Sequence, residues 1–368
     1  MKQGFSKALK VGAGLAISGV LIWLTLRGDV PCSPEQATPL TCRISKLEQL
    51  WVSLKSAHYI ALIPYLTILV AIHFIRTYRW GILLEPVGKP TFSKLNSASA
   101  IGFMALVTMP FRLGEFARPL LIAEKGKIRS SAAMASIVVE RVIDGIAMAI
   151  VLIVALLFSK LATHDPDAVA FARTSGWVVF GFFFALLIFC IVAYVRREWA
   201  VRLTERMIAP VSKKLAARLA GMLDAFIGGL KMVPDRKKIA LFFALTVVYW
   251  GLNGIGLAIL ARSGFGLQLE LVAAFTVLGV LVAGVMIPAG PAMLGTFHWA
   301  IIVGMRLFFP EPAQYGAIVA YAWVVWGAQF GQQVAFGLYF LLRGHVSFGS
   351  LWQTSTAEDG DAGKPAIP

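Results

Sequence analysis

The chain has 368 residues, of which 58% are hydrophobic and 14% are charged, and its mean hydropathy is +0.76. Soluble domains carry about 25% charged residues, so this composition excludes an ordinary soluble protein and indicates a membrane protein. The formal net charge of +15 would also suit a nucleic-acid-binding protein. The chain lacks a basic module interleaved with aromatic residues, so we expect no nucleic-acid partner.

Six apolar runs are long enough to cross a bilayer, whose hydrocarbon core of about 30 Å needs roughly 20 helical residues. The predicted spans are 9–26, 58–75, 131–158, 174–195, 239–261 and 313–342. The first run is followed by further spans and lacks a small-residue cleavage site. We therefore interpret it as an anchor and not as a removed signal peptide.

Basic residues collect near the N-terminus, between 76 and 94, and between 196 and 238. By the positive-inside rule these segments are cytoplasmic. We therefore predict a protein of the inner (cytoplasmic) membrane whose two termini are cytoplasmic and whose 27–57 loop is extracytoplasmic. We expect the 196–238 segment to include an amphipathic helix on the membrane surface. The polar segment 344–368 is predicted to be a disordered cytoplasmic tail.

The chain contains three cysteines. Cys32 and Cys42 flank two prolines in the 27–57 loop, where an oxidising compartment would permit a disulfide; two free thiols are the alternative. Cys190 lies inside an apolar span and is interpreted as a small packing residue.

The apolar stretch 95–109 has basic residues at both ends. One full crossing would leave one of these basic clusters outside, whereas a hairpin that enters and leaves on the cytoplasmic side keeps both inside. Pro110 and Gly114 supply the break in the helix. We therefore predict a re-entrant hairpin here.

A second interrupted region joins the stretches 269–287 and 293–309. Two full spans or one hairpin that enters from outside would each fit the topology. We favour the hairpin, because a span, a hairpin and a span then recur in both halves with opposite orientation. The predicted fold is an all-α polytopic membrane protein, one domain over 1–343. It has about six full transmembrane helices and two broken re-entrant hairpins that can be read as an inverted repeat.

Arg112, Glu115 and Arg118 are spaced by three residues, so on a helix they share one face. Two guanidiniums beside one carboxylate leave a positive charge and suit a phosphate group, which arginine binds bidentately. The alternative is an ion-pair network that locks the hairpin in place. We predict a substrate-binding role for all three side chains.

A second charged group, Glu140, Arg141 and Asp144, lies within the 131–158 span. Glu140 and Asp144 are four residues apart and share a helix face, and Arg141 can reach either this pair or the first cluster. A structural ion-pair network and coupling to a proton gradient both remain open. We include the three residues in the predicted binding site.

The second hairpin contributes Gly295, Thr296 and His298. Backbone amides at a helix N-terminus near Gly295 and Thr296 would suit an anionic group. His298 is open to three interpretations: a packing residue, a head-group contact or a proton carrier. These residues complete the predicted site.

Motifs of catalysis and cofactor binding are missing from the sequence. It contains no CxxC or HExxH metal motif, no GxGxxG or Walker loop and no GxSxG elbow. We therefore predict no metal and no cofactor, and favour a transporter over an enzyme.

Four segments carry a resemblance to a known family. They are Arg76 to Trp80 (Arg-x-x-Arg-Trp), Pro110-x-Arg-x-Gly-Glu-x-x-Arg-Pro119, Glu140-Arg141-x-x-Asp144, and Pro288 to His298. Together they resemble the lysylphosphatidylglycerol synthase transmembrane-region family, also called the flippase-like domain family, over nearly the whole chain.

The resemblance implies a membrane domain that moves polar lipids between leaflets, here as a stand-alone member without the aminoacyl-transferase domain. Stand-alone members are tied to glycolipid, polyprenyl-phosphate-sugar or hopanoid pathways. The family's second hairpin usually reads Pro-Gly-x-x-Gly, whereas Ala292 follows Pro291 here. This departure implies a stiffer turn and leaves room for a different substrate.

We therefore expect an inner-membrane lipid translocase that moves a phosphate-bearing lipid, with membrane lipids and a lipid-modifying enzyme as its partners. A membrane-embedded enzyme or accessory subunit of a lipid-linked glycosyl or aminoacyl transfer system is the alternative. A non-transporting scaffold for a lipid-modifying complex is a third interpretation. The sequence does not set the lipid, the direction or the oligomeric state.

Overall fold

A computed structural model describes most of the chain. The described residues are 2–27, 29–31, 43–109, 114–123, 128, 130–158, 166–210, 212, 216, 220–221, 223, 227, 235–287, 290–310 and 312–343. The predictions for Cys32, Cys42, Arg112 and the 344–368 tail lie outside these residues.

Twelve helices account for nearly all of the described chain. The elements in chain order are α1 (Lys2–Leu26), β1 (Asp29–Pro31), β2 (Arg43–Ser45), α2 (Lys46–Ser56), α3 (Leu62–Leu84), α4 (Phe92–Thr108), α5 (Ala117–Ile122), α6 (Ser130–Phe158), α7 (Pro166–Val195), α8 (Arg197–Ile208), α9 (Arg236–Phe265), α10 (Leu271–Gly284), α11 (Thr296–Arg306) and α12 (Tyr315–Leu342). The two short strands pair antiparallel, with Val30 opposite Ile44. The predicted 27–57 loop thus contains a small ladder and helix α2.

Three helical segments in the described part are long and apolar enough to cross a membrane: Tyr59–Leu84, Ser130–Phe158 and Arg236–Phe265. They coincide with the predicted spans 58–75, 131–158 and 239–261. The described stretch Gly176–Val192 of α7 and helix α8 meet the same criterion together, as a pair bent by 110°. The prediction of an all-α membrane protein with several apolar spans is therefore confirmed.

Helices also form at the other two predicted spans, 9–26 and 313–342, but neither is among these three segments. In α1 the apolar helix within the described residues is Leu15–Leu26. In α12 three glutamines between 329 and 333 lower the hydropathy. Six full spans and an inverted repeat therefore stay predictions.

The core lies where α3, α9 and α12 meet. Tyr65 and Tyr321 are fully buried there. The Tyr321 hydroxyl donates to the Leu257 carbonyl at 2.9 Å, and the Gln329 amide nitrogen donates to the Tyr65 hydroxyl at 2.9 Å. These bonds satisfy polar groups that lipid could not, and they tie the late helix α12 to α9 and to the early helix α3.

The first interrupted region forms helix α4, with Thr91 as its N-cap; the Thr91 hydroxyl accepts from the Lys94 amide at 3.4 Å. The helix ends at Thr108, two residues before Pro110, as a proline requires. A 3-10 turn over 114–116 then leads into the short α5, which packs back on α4. The predicted break in this stretch is therefore present.

The second interrupted region consists of α10 and α11, which pack against each other across a 3-10 turn at Pro291–Met293. Small residues allow the close approach: Gly284 faces Ala300, and Gly304 faces the backbone of Val277. The turn also contacts α4 and α1. The tip of the second hairpin thus lies against the first one.

Candidate functional site

A cluster of charged side chains is buried between α3, α5 and α6. Arg79 and Glu140 are 0% exposed, Arg118 is 3% exposed and Asp144 is 6% exposed. Ionisable groups within membrane helices are expensive unless they pair with one another or line a polar cavity. The contacts of each member therefore show which charges the fold has neutralised.

Arg79 and Asp144 form the innermost pair, with Arg79 Nη2 2.6 Å from Asp144 Oδ1. The guanidinium also stacks on two rings of α9, with its Cζ 4.6 Å from the centre of Phe242 and 5.2 Å from that of Tyr249. The pair joins α3 to α6, while the rings cover the cation from the α9 side.

Glu140 binds two guanidiniums. Arg118 Nη1 lies 3.2 Å from Glu140 Oε2 and 3.5 Å from Oε1, and Arg141 Nη2 lies 2.9 Å from Oε1. Arg118 is fully buried, whereas the Arg141 side chain is 27% exposed. Glu140 therefore holds one arginine inside the protein and one at its edge.

Two glycines let the α5 segment reach this position. A Cβ at Gly102 would overlap the Arg118 side chain, and a Cβ at Gly114 would overlap the backbone of Ala105 and Leu106. The absence of a side chain at both positions allows α5 to lie directly on α4. The Gly-Glu motif is thus explained by close backbone packing.

Aromatic rings line the same region. The Arg118 Cζ lies 4.3 Å from the centre of Trp80 and 4.7 Å from that of Phe103. Trp80 Nε1 donates to Ser136 Oγ at 3.0 Å. This bond fixes the indole against α6, so the ring holds the guanidinium plane in one orientation.

Arg76 lies one turn from Arg79 on α3 and is half-buried. Its Cζ is 3.8 Å from the centre of Phe103 and 5.9 Å from that of Tyr249. Within the described part of the chain Arg76 forms no ion pair. It is therefore a cation at membrane depth that is held by rings alone.

The described cluster carries an excess of positive charge. Its arginines are Arg76, Arg79, Arg118 and Arg141, and its carboxylates are Glu140, Asp144 and Glu115, which interacts electrostatically with Arg141. Five buried guanidinium nitrogens have no acceptor among the described residues: Nε and Nη1 of Arg79, Nε and Nη2 of Arg118, and Nε of Arg141. Unsatisfied buried donors of this kind are rare in proteins, so the cluster can accept an anion with several oxygens.

The predicted site residues of the first half are largely brought together. Arg118, Glu140 and Arg141 contact one another, and Asp144 joins them through Arg79. Glu115 lies in the 114–116 turn of 3-10 helix and Arg118 in α5, which follows it directly, while Arg112 lies outside the described residues. The 3-10 turn begins at Gly114, where the chain packs closely on α4.

Sequence reasoning missed Arg76 and Arg79 as site residues, although their motif carried the family resemblance. A detectable signal was present: two arginines three residues apart share one face of an apolar span. They were assigned to the cytoplasmic end of that span, whereas the helix continues to Leu84 and buries Arg79.

The second hairpin is held by neutral groups. The Gly290 amide donates to Ser18 Oγ at 3.3 Å, and the Gly295 amide donates to His298 Nδ1 at 3.4 Å. Thr296 Oγ1 donates to the Met293 carbonyl at 3.0 Å. The predicted amide donor of Gly295 therefore has a partner inside the hairpin, and so has the hydroxyl of Thr296.

His298 is 1% exposed and lies against two indoles, with ring centres 4.0 Å from Trp323 and 5.3 Å from Trp326. Because Nδ1 accepts from Gly295, the neutral imidazole carries its proton on Nε2, and this atom has no partner among the residues that the structure describes. Within that part of the chain His298 thus offers one free buried donor. Trp326 Nε1 donates to the Ala292 carbonyl at 2.9 Å and fixes the turn.

Comparison with known proteins agrees with the buried motifs. The family described as the lysylphosphatidylglycerol synthase TM region matches residues 11–337. No curated protein matches the chain. The matched range contains α3 to α11 and all the charged residues described above, and it covers most of the chain. The protein therefore belongs to the family of the lysylphosphatidylglycerol synthase TM region.

Proposed function

We propose that the protein is a lipid translocase of the inner membrane that moves a phosphate-bearing lipid between the leaflets. Membership of the family makes it a multi-pass membrane protein of lipid metabolism or transport. The proposal adds three points to this: the translocation activity, the phosphate group of the lipid, and the location in the inner membrane. In it, both termini are cytoplasmic, and a lipid-modifying enzyme supplies or consumes the lipid.

The main support is the set of unsatisfied guanidinium donors on Arg79, Arg118 and Arg141. A charged side chain at the bilayer centre costs at least about 2.5 kcal/mol, and an unsatisfied buried donor adds about 1–3 kcal/mol. A fold that keeps several of these groups needs acceptors for them. A phosphate group has the oxygens and the charge to supply them.

In this proposal the charged side chains have different roles. Arg76 and Arg141, which are half-buried, contact the phosphate first, while Glu140 holds Arg118 and Arg141 in place. The acyl or prenyl chains stay in the bilayer, so only the polar head needs the protein. Arg112, which the sequence adds to this group, brings a further cation.

The second hairpin closes the site from the other side in the same proposal. Its turn contacts α4, which also carries Phe103, the ring under Arg76 and Arg118. The free Nε2–H of His298 can donate to a phosphate or hydroxyl oxygen of the head group. The Gly295 amide keeps the imidazole oriented through its bond to Nδ1, while Thr296 bonds the Met293 carbonyl within the turn.

A leaflet-specific assay in proteoliposomes tests the proposal. The probes are a fluorescent anionic phospholipid and a polyprenyl-phosphate analogue, each scored by the fraction that a membrane-impermeant reductant can bleach. Arg76→Gln removes a cation that makes no ion pair, so the fold should survive. We expect the rate of movement to fall about tenfold, as the loss of one charge-assisted hydrogen bond implies.

Arg236→Gln is the matched control, because Arg236 is exposed at the start of α9. It should leave the rate unchanged. Equal rates for wild type and a well-folded Arg76→Gln would contradict a role of the cluster in movement. No movement of either lipid by well-folded wild type would contradict an autonomous translocase and favour an accessory subunit of a lipid-modifying enzyme.

A further inference from the structure

A sharp elbow joins α7 to α8. Helix α7 runs from Pro166 to Val195, and its last turns expose apolar side chains such as Phe189 and Val192. Helix α8 starts at Arg197, after a turn at Arg196, and its axis departs by 110°. If α7 crosses the bilayer, this angle lays α8 nearly parallel to the membrane surface.

One face of α8 is packed inside the protein. Ala200 is 4% exposed and forms a small buried cluster with Ile227, which Val201 and Leu223 border. This contact holds the helix to the chain that follows it. The rest of α8 is therefore presented at a fixed rotation.

A second face of α8 is apolar and open. Trp199, Leu203 and Met207 are four residues apart, so they form one stripe along the helix. Trp199 is 52% exposed and Met207 is 70% exposed. A tryptophan beside aliphatic side chains is typical of groups that lie at the boundary between lipid head groups and acyl chains.

The third face of α8 is charged and borders this stripe. Four arginines and two glutamates lie between 196 and 208. Arg202 Nη2 bonds Glu198 Oε2 at 3.4 Å, whereas the exposed side chains of Arg196 and Arg206 have no partner in the described part of the chain. The surface beside the apolar stripe is therefore positive, which is complementary to an anionic head group and not to a zwitterionic one.

A cavity of about 880 Å³ opens at the elbow itself. Its lining includes Tyr194, Arg196, Arg197, Glu198, Trp199 and Arg202. The cavity combines guanidiniums, two aromatic rings and direct contact with the apolar end of α7. A ligand that fits all three parts has an anionic head and an apolar tail.

We propose that the elbow between α7 and α8 binds an anionic phospholipid of the surrounding leaflet, with the phosphate at Arg196 in the elbow cavity and the acyl chains along Trp199, Leu203 and Met207. Arg206, near the other end of α8, adds positive charge beside the same stripe. This site is separate from the charged cluster on α3, α5 and α6. It fixes the depth of α8 in the membrane and does not depend on translocation.

The depth of the stripe is tested on the full chain in vesicles that contain phosphatidylglycerol. An environment-sensitive fluorophore is attached to Met207→Cys in a background with the three native cysteines replaced by alanine, after size-exclusion chromatography shows a folded protein. Glu205→Cys on the charged face is the matched control. We expect a blue-shifted emission and at least about threefold weaker iodide quenching at 207 than at 205. Equal quenching at both positions would overturn the proposal.

The preference for anionic lipid is tested with the label at Leu203→Cys and two spin-labelled quenchers, a phosphatidylglycerol and a phosphatidylcholine. We expect the anionic lipid to be enriched roughly threefold or more at the label, and Arg196→Gln with Arg206→Gln to remove the enrichment. Both arginines are exposed, so the double variant should fold. Equal quenching by the two lipids in the unsubstituted helix would contradict an anionic site, and would leave only a nonspecific apolar contact.

Discussion

The two broken regions of this protein solve one problem, polar groups in an apolar environment, in different ways. Around α5 and α6 the fold keeps full charges and neutralises them in pairs, such as Arg79 with Asp144 and Arg118 with Glu140. In the α10–α11 hairpin it uses neutral groups: backbone amides and tilted aromatic rings packed around His298.

The two regions differ in the buried donors that remain without an acceptor among the described residues. The charged region has an excess of guanidinium donors, whereas in the hairpin the one unsatisfied atom of His298 is a single Nε2–H. Ion pairs fix the helices but leave a net positive charge. Neutral turns fix the backbone and leave few unsatisfied donors. The charged region is therefore suited to bind, and the hairpin to shape and close.

The largest expected effect comes from breaking the innermost pair. Arg79→Ala would leave Asp144 buried and unpaired, which costs about 3–5 kcal/mol. We expect a large drop in the thermal unfolding midpoint in detergent and a loss of monodisperse protein. Replacing both partners, Arg79→Leu with Asp144→Leu, removes the stranded charge and should recover most of that midpoint. A single variant as stable as wild type would show that the pair does not hold α3 to α6.

A smaller effect is expected where the first region depends on close packing. Gly114→Ala would overlap the backbone of Ala105 and Leu106, and overpacking of this kind costs about 1–3 kcal/mol. The midpoint should fall by several degrees. Gly327→Ala, at a helix position with open space around it, is the matched control and should leave the midpoint equal or slightly raised. The same loss in both variants would argue against a specific contact at Gly114.

In the hairpin, one substitution is expected to increase stability. Ala292 has a φ of 60°, in the left-handed region, where a non-glycine residue costs about 1–2 kcal/mol. Glycine loses about 0.5–1 kcal/mol more conformational entropy on folding, so Ala292→Gly should stabilise by under about 1 kcal/mol. Met293→Gly, at a φ of 52°, serves as control and should destabilise because its side chain packs on the core. A lower midpoint for Ala292→Gly would mean that the turn is not strained.

The smallest effect is expected for an ion pair outside both regions. Lys238 bonds Glu85 and holds the pKa of that carboxyl below its usual value of 4.5. The pair is solvated, so Glu85→Gln should lower the midpoint less than any variant above. Because the pKa is lowered in the folded protein, the contribution is present at neutral pH and fades as the pH falls below the usual pKa of 4.5 and through the lowered one. A difference between wild type and variant that persisted in acid would contradict this origin.

Much of the fold follows from local composition. The spans at 58–75, 131–158 and 239–261 were predicted because hydropathy adds along the chain without regard to neighbours. The breaks near Pro110 and Pro291 followed for the same reason, since proline acts on its own helix. The buried group of Glu140, Arg141 and Arg118 was predicted from the cost of charges in a membrane.

The pairing within that group was decided by tertiary structure alone. Arg79 meets Asp144 across 65 positions in sequence, and Arg118 meets Glu140 only because Gly102 leaves room for its side chain on α4. Four arginines and three carboxylates allow many combinations of similar local energy, and the helix contacts select one. The left-handed φ of Ala292 and the contact of His298 with Trp323 depend likewise on neighbours that the local sequence does not specify. The sequence by itself determined which groups had to be buried. The packing of the helices determined which guanidiniums kept hydrogen-bond donors without an acceptor among the described residues.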